Sequence, residues 1–189
     1  MCGVLPDIIG KDSGGRPVSF DATASGGDMF LKVEGARSGA FKGESQDPSH
    51  RDEIDVVSWS WGMQGNASAT VTTGGRGGGA NQVSARELEV LKRVDGATSA
   101  LLSALRNNEP LKATLTVRKA GGSSPVEYLK VILEKARVRS VDLESGAGGE
   151  GVVERIRLSF QRITIEYRSQ SAKGSGSGVS GFSMELDQA

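Results

Sequence analysis

The sequence predicts a mainly β fold, a mostly antiparallel barrel or sandwich with one helix at its side. Three observations predict it. Apolar residues alternate with period two over several long stretches, the signature of half-buried strands. The phase of that alternation slips inside two of them, and a one-residue slip sends every later side chain to the other face, so a bulge or bend is required there. Only one stretch combines a helical apolar stripe with clear stop signals.

Residues 1–27 hold six glycines and no sustained periodicity, the composition of a flexible extension. Met29-Phe-Leu-Lys-Val-Glu-Gly35 is a short opening strand, followed by a polar run over residues 42–53. Val57, Trp59, Trp61 and Met63 then share one strand face. Burial is the usual fate of such an indole pair, so Trp59 and Trp61 are assigned to core or subunit packing. Residues 84–94 fit two readings: Ser84 and Glu87 make a helical capping box, while Leu88, Val90 and Val94 also alternate. Thr98 or Ser99 caps a helix whose stripe is Leu101, Leu102 and Leu105, and Asn107, Asn108 and Pro110 end it.

Leu111, Ala113, Leu115 and Val117 define the core face of the next strand. Leu129, Val131 and Leu133 begin another, whose phase slips to Ala136 and Val138 and again to Val141 and Leu143. Ile156, Leu158 and Phe160 give way in the same manner to Ile163, Ile165 and Tyr167. Long strands that bend in this way are what a small curved barrel needs. The Ser/Gly-rich composition of residues 171–183 is that of a linker, so the folded domain is expected over 28–170 and a flexible tail over 171–189.

Composition narrows the function. The 23 basic and 23 acidic residues balance, which argues against a general polyanion binder and against nucleic acid as a partner. One cysteine, Cys2, excludes an internal disulfide framework, and one histidine, His50, excludes a His-pair zinc site. No apolar run reaches the roughly 18 residues of a membrane span, and no Sec-type signal is visible, so the protein is expected to be made in the cytoplasm without membrane insertion.

The chemical motifs are weak. Gly75-Arg-Gly77-Gly-Gly-Ala80 matches a loose dinucleotide fingerprint, with Asp95 about 20 residues on. A nucleotide-binding enzyme built on this loop is the alternative reading. The strand before it is too polar for a buried parallel strand, no βαβ repeat follows, and a glycine-rich run matches easily by chance. His50 lies among Asp47, Ser49, Asp52 and Glu53, but no nucleophile elbow or metal-binding helix accompanies it, so no catalytic, metal or cofactor residue is assigned. The arginines at 137, 139, 155, 157, 162 and 168 interleave with Glu134, Asp142, Glu144, Glu154 and Glu166, which suits cross-strand or intersubunit pairing.

Three stretches in order carry a resemblance. They are Met29-Phe-Leu-Lys-Val-Glu-Gly35; Lys42-Gly-Glu-Ser-Gln-Asp47 with His50, Glu53-Ile-Asp-Val56 and Ser58-Trp-Ser-Trp-Gly62; and Arg118-Lys-Ala-Gly-Gly122 with Pro125-Val-Glu-Tyr-Leu129. Together they resemble the haemolysin-coregulated protein (Hcp) family, the tube protein of bacterial type VI secretion systems. The resemblance implies a small β-barrel of two antiparallel sheets with one flanking helix, and residues 84–94 as strand. It implies a homohexameric ring, rings stacked into an expelled tube, and no enzymatic activity. It also implies a spike protein, contractile sheath, baseplate and small effectors as partners, and secretion through the machine itself. A phage tail-tube-like adaptor barrel is a further alternative. The polar run has no apolar face to bury in its own subunit, so Lys42, Glu44, Ser45, Gln46, Asp47, His50, Asp52 and Glu53 are assigned to ring-on-ring contact.

Overall fold

The computed structural model describes residues 9–11, 17–19, 28–66, 82–119, 125–145, 151–169 and 178–186. In chain order the elements are β1 Ile9–Lys11, β2 Pro17–Ser19, β3 Met29–Gly35, β4 Gly39–Phe41, β5 Ile54–Ser60, β6 Met63–Asn66 and β7 Gln82–Ala85. They continue as β8 Leu88–Arg93, α1 Thr98–Arg106, β9 Leu111–Lys119, β10 Val126–Ser145, β11 Val152–Ser159, β12 Arg162–Arg168 and β13 Val179–Glu185.

Six of these strands close on themselves in the order β11-β8-β5-β3-β9-β10, the ring being completed by pairing of β10 with β11. Each of these pairings is antiparallel. The barrel is filled by alternating residues the sequence marks, among them Leu88, Val90, Leu115, Leu133, Ile156 and Leu158, together with Leu31, Val33 and Ile54. Leu101 and Ala104 of α1 are buried in the same core, while Leu102 turns outward. Of the two architectures the alternation allowed, the closed barrel is the one formed.

Closure depends on β10, which is 20 residues long and serves both sheets. Against β9 its register steps from Leu133 opposite Ala113 to Ala136 opposite Leu111, and Lys135 sits there at φ 49°. Against β11 it steps again, from Val138 opposite Leu158 to Ser140 opposite Arg157. Each extra residue bends the strand and returns the apolar series to the interior. Both steps lie where the alternation slips, although Leu143, beyond the second, is exposed. The slip after Phe160 is different. It is a corner between two strands: β11 stays with β8 and the far half of β10, while β12 pairs with the near half, from Leu129 opposite Tyr167 to Glu134 opposite Arg162.

Residues 84–93 are strand, divided into β7 and β8 at Arg86 and Glu87, with Val94 just past the end, so the capping box is not used. Helix α1 begins at Thr98 with Ala97 in the N-cap position, where a methyl group cannot cap, so neither Thr98 nor Ser99 is the cap; the Thr98 hydroxyl donates to Glu154 at 2.6 Å. A bulge between Val56 and Ser58 against β8 also corrects the face expected in β5. It throws Val57 outward, 46% exposed, whereas Trp59 and Trp61 pack on the edge of the core.

Two expectations about the termini need correction or restriction. The flexible tail expected over 171–189 contains β13, which pairs with β12 along its whole length and places Met184 beside Ile163 and Phe182 beside Ile165. The free edge of β12 offers unpaired backbone groups, and these cross-strand apolar pairs supply the reason for filling it. Within the expected 1–27 extension, β1 and β2 pair as a two-stranded sheet of their own. The rest of that extension, and residues 171–177, lie outside the described residues.

Candidate functional site

The long connection between β4 and β5, residues 42–53, is the segment that sequence reasoning assigned to contact. It folds back on itself through backbone hydrogen bonds: Gly43 N–H to Asp52 O at 2.8 Å, Ser45 N–H to Glu53 O at 3.1 Å and Asp52 N–H to Ser45 O at 3.1 Å. Asp47 closes its tip by accepting from Ser49 N–H at 2.9 Å. Gly43 is demanded by close approach, since a Cβ there would lie 2.3 Å from Glu53 O.

The loop is anchored to its own subunit, contrary to the expectation that it had nothing to bury there. Arg118 at the end of β9 donates to Asp47 Oδ2 at 2.6 Å and to Asp28 Oδ2 at 2.7 Å. Hydrogen bonding from Arg118 holds the Asp47 carboxyl below its usual range, and Asp47 first, then Asp28, raises the Arg118 guanidinium further. The His50 ring stacks on Phe30 of β3 at 4.3 Å between centroids with 8° between planes. The Arg118 guanidinium lies over the Phe30 ring at 5.0 Å. His50 Nδ1 is 2.9 Å from Glu53 Oε2 and Nε2 is 3.2 Å from Glu127 Oε1 on β10.

These contacts divide the eight assigned residues. Ser45 and His50 are buried, and Asp47 and Glu53 are committed to Arg118 and His50, so all four support the loop from inside. Lys42, Glu44, Gln46 and Asp52 are exposed, one cation, two carboxylates and an amide, and form the outward fringe. The anchors Asp28, Phe30 and Glu127 were not assigned to the site from sequence. No local spacing signals them, because Glu127 meets His50 across 77 residues and Arg118 meets Asp47 across 71.

The remaining candidates do not converge. The residues 75–80 loop lies outside the described residues, but the chain leaves it as β7, paired antiparallel with β6, and not as the helix a pyrophosphate site requires. Cys2 also lies outside them. The arginines are dispersed in charge pairs: Arg155 and Arg157 on Glu89 at 2.7 and 3.0 Å, and Arg162 between Glu134 and Glu185. Such cross-strand pairing commits these three guanidinium groups to carboxylates of neighbouring strands. Among the described residues no helix is long and apolar enough to cross a membrane.

Comparison with known proteins places this geometry. The family model described as "Type VI secretion system effector, Hcp" matches residues 30–167, which span the barrel and the loop. Protein hcp1 of Pseudomonas aeruginosa is 38% identical over 152 residues, 80% of this chain and 89% of that protein. Among solved structures, Hcp1 from Salmonella typhimurium superposes with TM-score 0.61 at 29% identity, covering 83% of this chain and 94% of that one. A type VI secretion system effector from Yersinia pestis gives TM-score 0.64 at 26% identity, covering 84% of this chain and 100% of that one.

Proposed function

The chain belongs to the Hcp family of type VI secretion proteins, and from that premise we propose that it is a structural tube subunit: six copies close into a ring, and rings stack head to tail into the tube that the system expels. The observation that carries this reading is the family match over the whole barrel, residues 30–167. The physics is compatible with it. A ring requires a heterologous interface whose rotation closes, and a closed barrel extended on one side by β12 and β13 is a subunit that can supply one. Zero net charge spares neighbouring copies long-range repulsion.

Ring-on-ring contact falls to the exposed fringe Lys42, Glu44, Gln46 and Asp52. The internal anchors make that fringe a preorganised surface, so little ordering entropy opposes docking. Exposed charge pairs contribute only about 0–1 kcal/mol each, and six loops acting together supply the avidity a stack needs. Spike protein, sheath, baseplate and small luminal effectors are the partners of such a subunit, and its route out of the cell is the secretion machine. Light scattering and negative-stain images of the full chain test the reading. A ring of six copies is expected, and a monomer mass at micromolar concentration overturns it.

A further inference from the structure

We propose that His50 is a proton-dependent latch that fixes the residues 42–53 loop to the barrel. Both ring nitrogens meet carboxylate oxygens, Nδ1 with Glu53 Oε2 at 2.9 Å and Nε2 with Glu127 Oε1 at 3.2 Å. A neutral imidazole has one N–H and one lone pair, whereas the imidazolium has two N–H groups. Only the doubly protonated ring donates to both carboxylates. Removal of either proton turns one of the two contacts into a lone pair facing an anion.

The surroundings reinforce this requirement. The ring is 6% exposed and lies flat on Phe30, so it cannot swing away to water without leaving its stack. The charged groups around it are Glu53, Asp47 and Asp28 beside the loop, Arg118 on β9, and Glu127 and Lys130 on β10. Lys32 of β3 is engaged by Glu34. That leaves four carboxylates facing two cations, Arg118 and Lys130, until the imidazolium adds a third. Lys130 first, and His50 after it, hold the Glu127 carboxyl below its ordinary range, so Glu127 stays ionised wherever a histidine titrates.

The Glu127 contact joins the loop to β10, so its loss leaves the loop's hold on the barrel to the Asp47–Arg118 pair and the Phe30 stack and loosens the segment around His50. Imidazole is the side chain whose ordinary titration lies between pH 5 and 8, and His50 is the one histidine in the chain. The consequence for assembly rests on the stacking role proposed above: a closed latch presents the fringe in one geometry, an open latch does not.

The test uses the full chain. Long-range ¹H–¹⁵N spectra read the single imidazole directly, and hydrogen exchange reads the loop as protection factors corrected for intrinsic base catalysis. At pH 6 both ring nitrogens are expected to carry hydrogen, and protection of residues 43, 45 and 52 is expected to fall by about tenfold between pH 6 and pH 8.5. Glu127→Gln, which can present either an acceptor or a donor to Nε2, should keep the barrel and lose the pH dependence. A neutral tautomer at pH 6, or loop protection that does not change with pH, overturns the latch. Sedimentation of tubes at the two pH values separates the claims. If loop protection responds while stacking does not, the stacking role fails and the latch stands.

Discussion

Lys92 Nζ lies 3.0 Å from Glu154 Oε2, and neither side chain has any exposed surface. The pair ties β8 to β11 inside the barrel wall, and Lys92 also donates to Asp95 Oδ1 at 2.9 Å and to the Arg93 carbonyl at 2.8 Å. Asp95 in turn accepts from Ala97 N–H at 2.9 Å at the start of α1, and Thr98 donates to Glu154. One buried cation therefore holds two strands and the helix start in register. Removing Glu154 leaves that cation undercompensated in a low-dielectric site. Glu154→Ala is expected to lower unfolding free energy by about 3–5 kcal/mol, measured by urea denaturation. Joint replacement of Lys92 and Glu154 by methionine should lose much less.

Gly43 sits where the two arms of the loop approach most closely. A side chain there runs into backbone, Glu53 O at 2.3 Å and Ile54 Cα at 2.8 Å, neither of which can rotate away. Gly43→Ala should destabilise the protein by about 1–3 kcal/mol and strip hydrogen-exchange protection from Ser45 and Asp52. Amides of β9 and β10 should be unaffected.

Glu44 and Asp47 occupy the same loop and should behave differently under charge reversal. Glu44 is exposed, so Glu44→Lys should shift Tm by no more than a surface substitution does, within about 0.5 kcal/mol. Asp47→Lys sets a cation against Arg118, 2.6 Å from the carboxylate it replaces. It should release the loop tip before any effect on assembly can be read. Thermal melts of the two single variants check this.

Glu109 clips the turn between β3 and β4. It accepts from Ser38 Oγ at 2.6 Å, Ser38 N–H at 2.8 Å and Arg37 N–H at 2.7 Å. The Ser38 hydroxyl first, then these two amides, hold its carboxyl below the usual carboxylate range. A lowered folded-state value means the stabilisation is fully present above the unfolded carboxylate range, near pH 4, and is lost as pH falls through the folded value. Tm followed from pH 6 to pH 2.5 should drop more in the wild type than in Glu109→Gln, whose amide does not titrate.

Chain truncation after Gln170 removes β13 and bares the edge of β12 with Ile163 and Ile165 beside it. The shortened protein should lose solubility and gain thioflavin-positive aggregates on heating. A soluble truncated form with unchanged Tm would show that β13 has no share in stability.

Much of this molecule was fixed by relations between residues two to four apart. Period-two series identify the inward faces of β9, β10 and β11, and Leu101 with Leu105 identifies α1, because strand pleat and helix turn repeat on that scale. The slips between Leu133 and Ala136 and between Val138 and Val141 marked the bends of β10, since an extra residue is visible as a break in parity. Parity does not say what a strand pairs with. The slip at Phe160 reads the same as a bulge, and only closure of the barrel makes it a corner between β11 and β12. Val57 belongs by parity with Trp59 until the bulge opposite β8 expels it. Nor does the local chain foretell β13, whose first five residues lie inside the linker-like stretch 171–183 and gain structure from the free edge of β12. The loop shows the same division most sharply. Its polarity and length were legible, but its rigidity comes from Arg118, Phe30 and Glu127, which lie 20 to 77 residues away along the chain from the loop residues they meet. Contacts at that separation are decided by which strands close the barrel and in what register, and no local pattern encodes them.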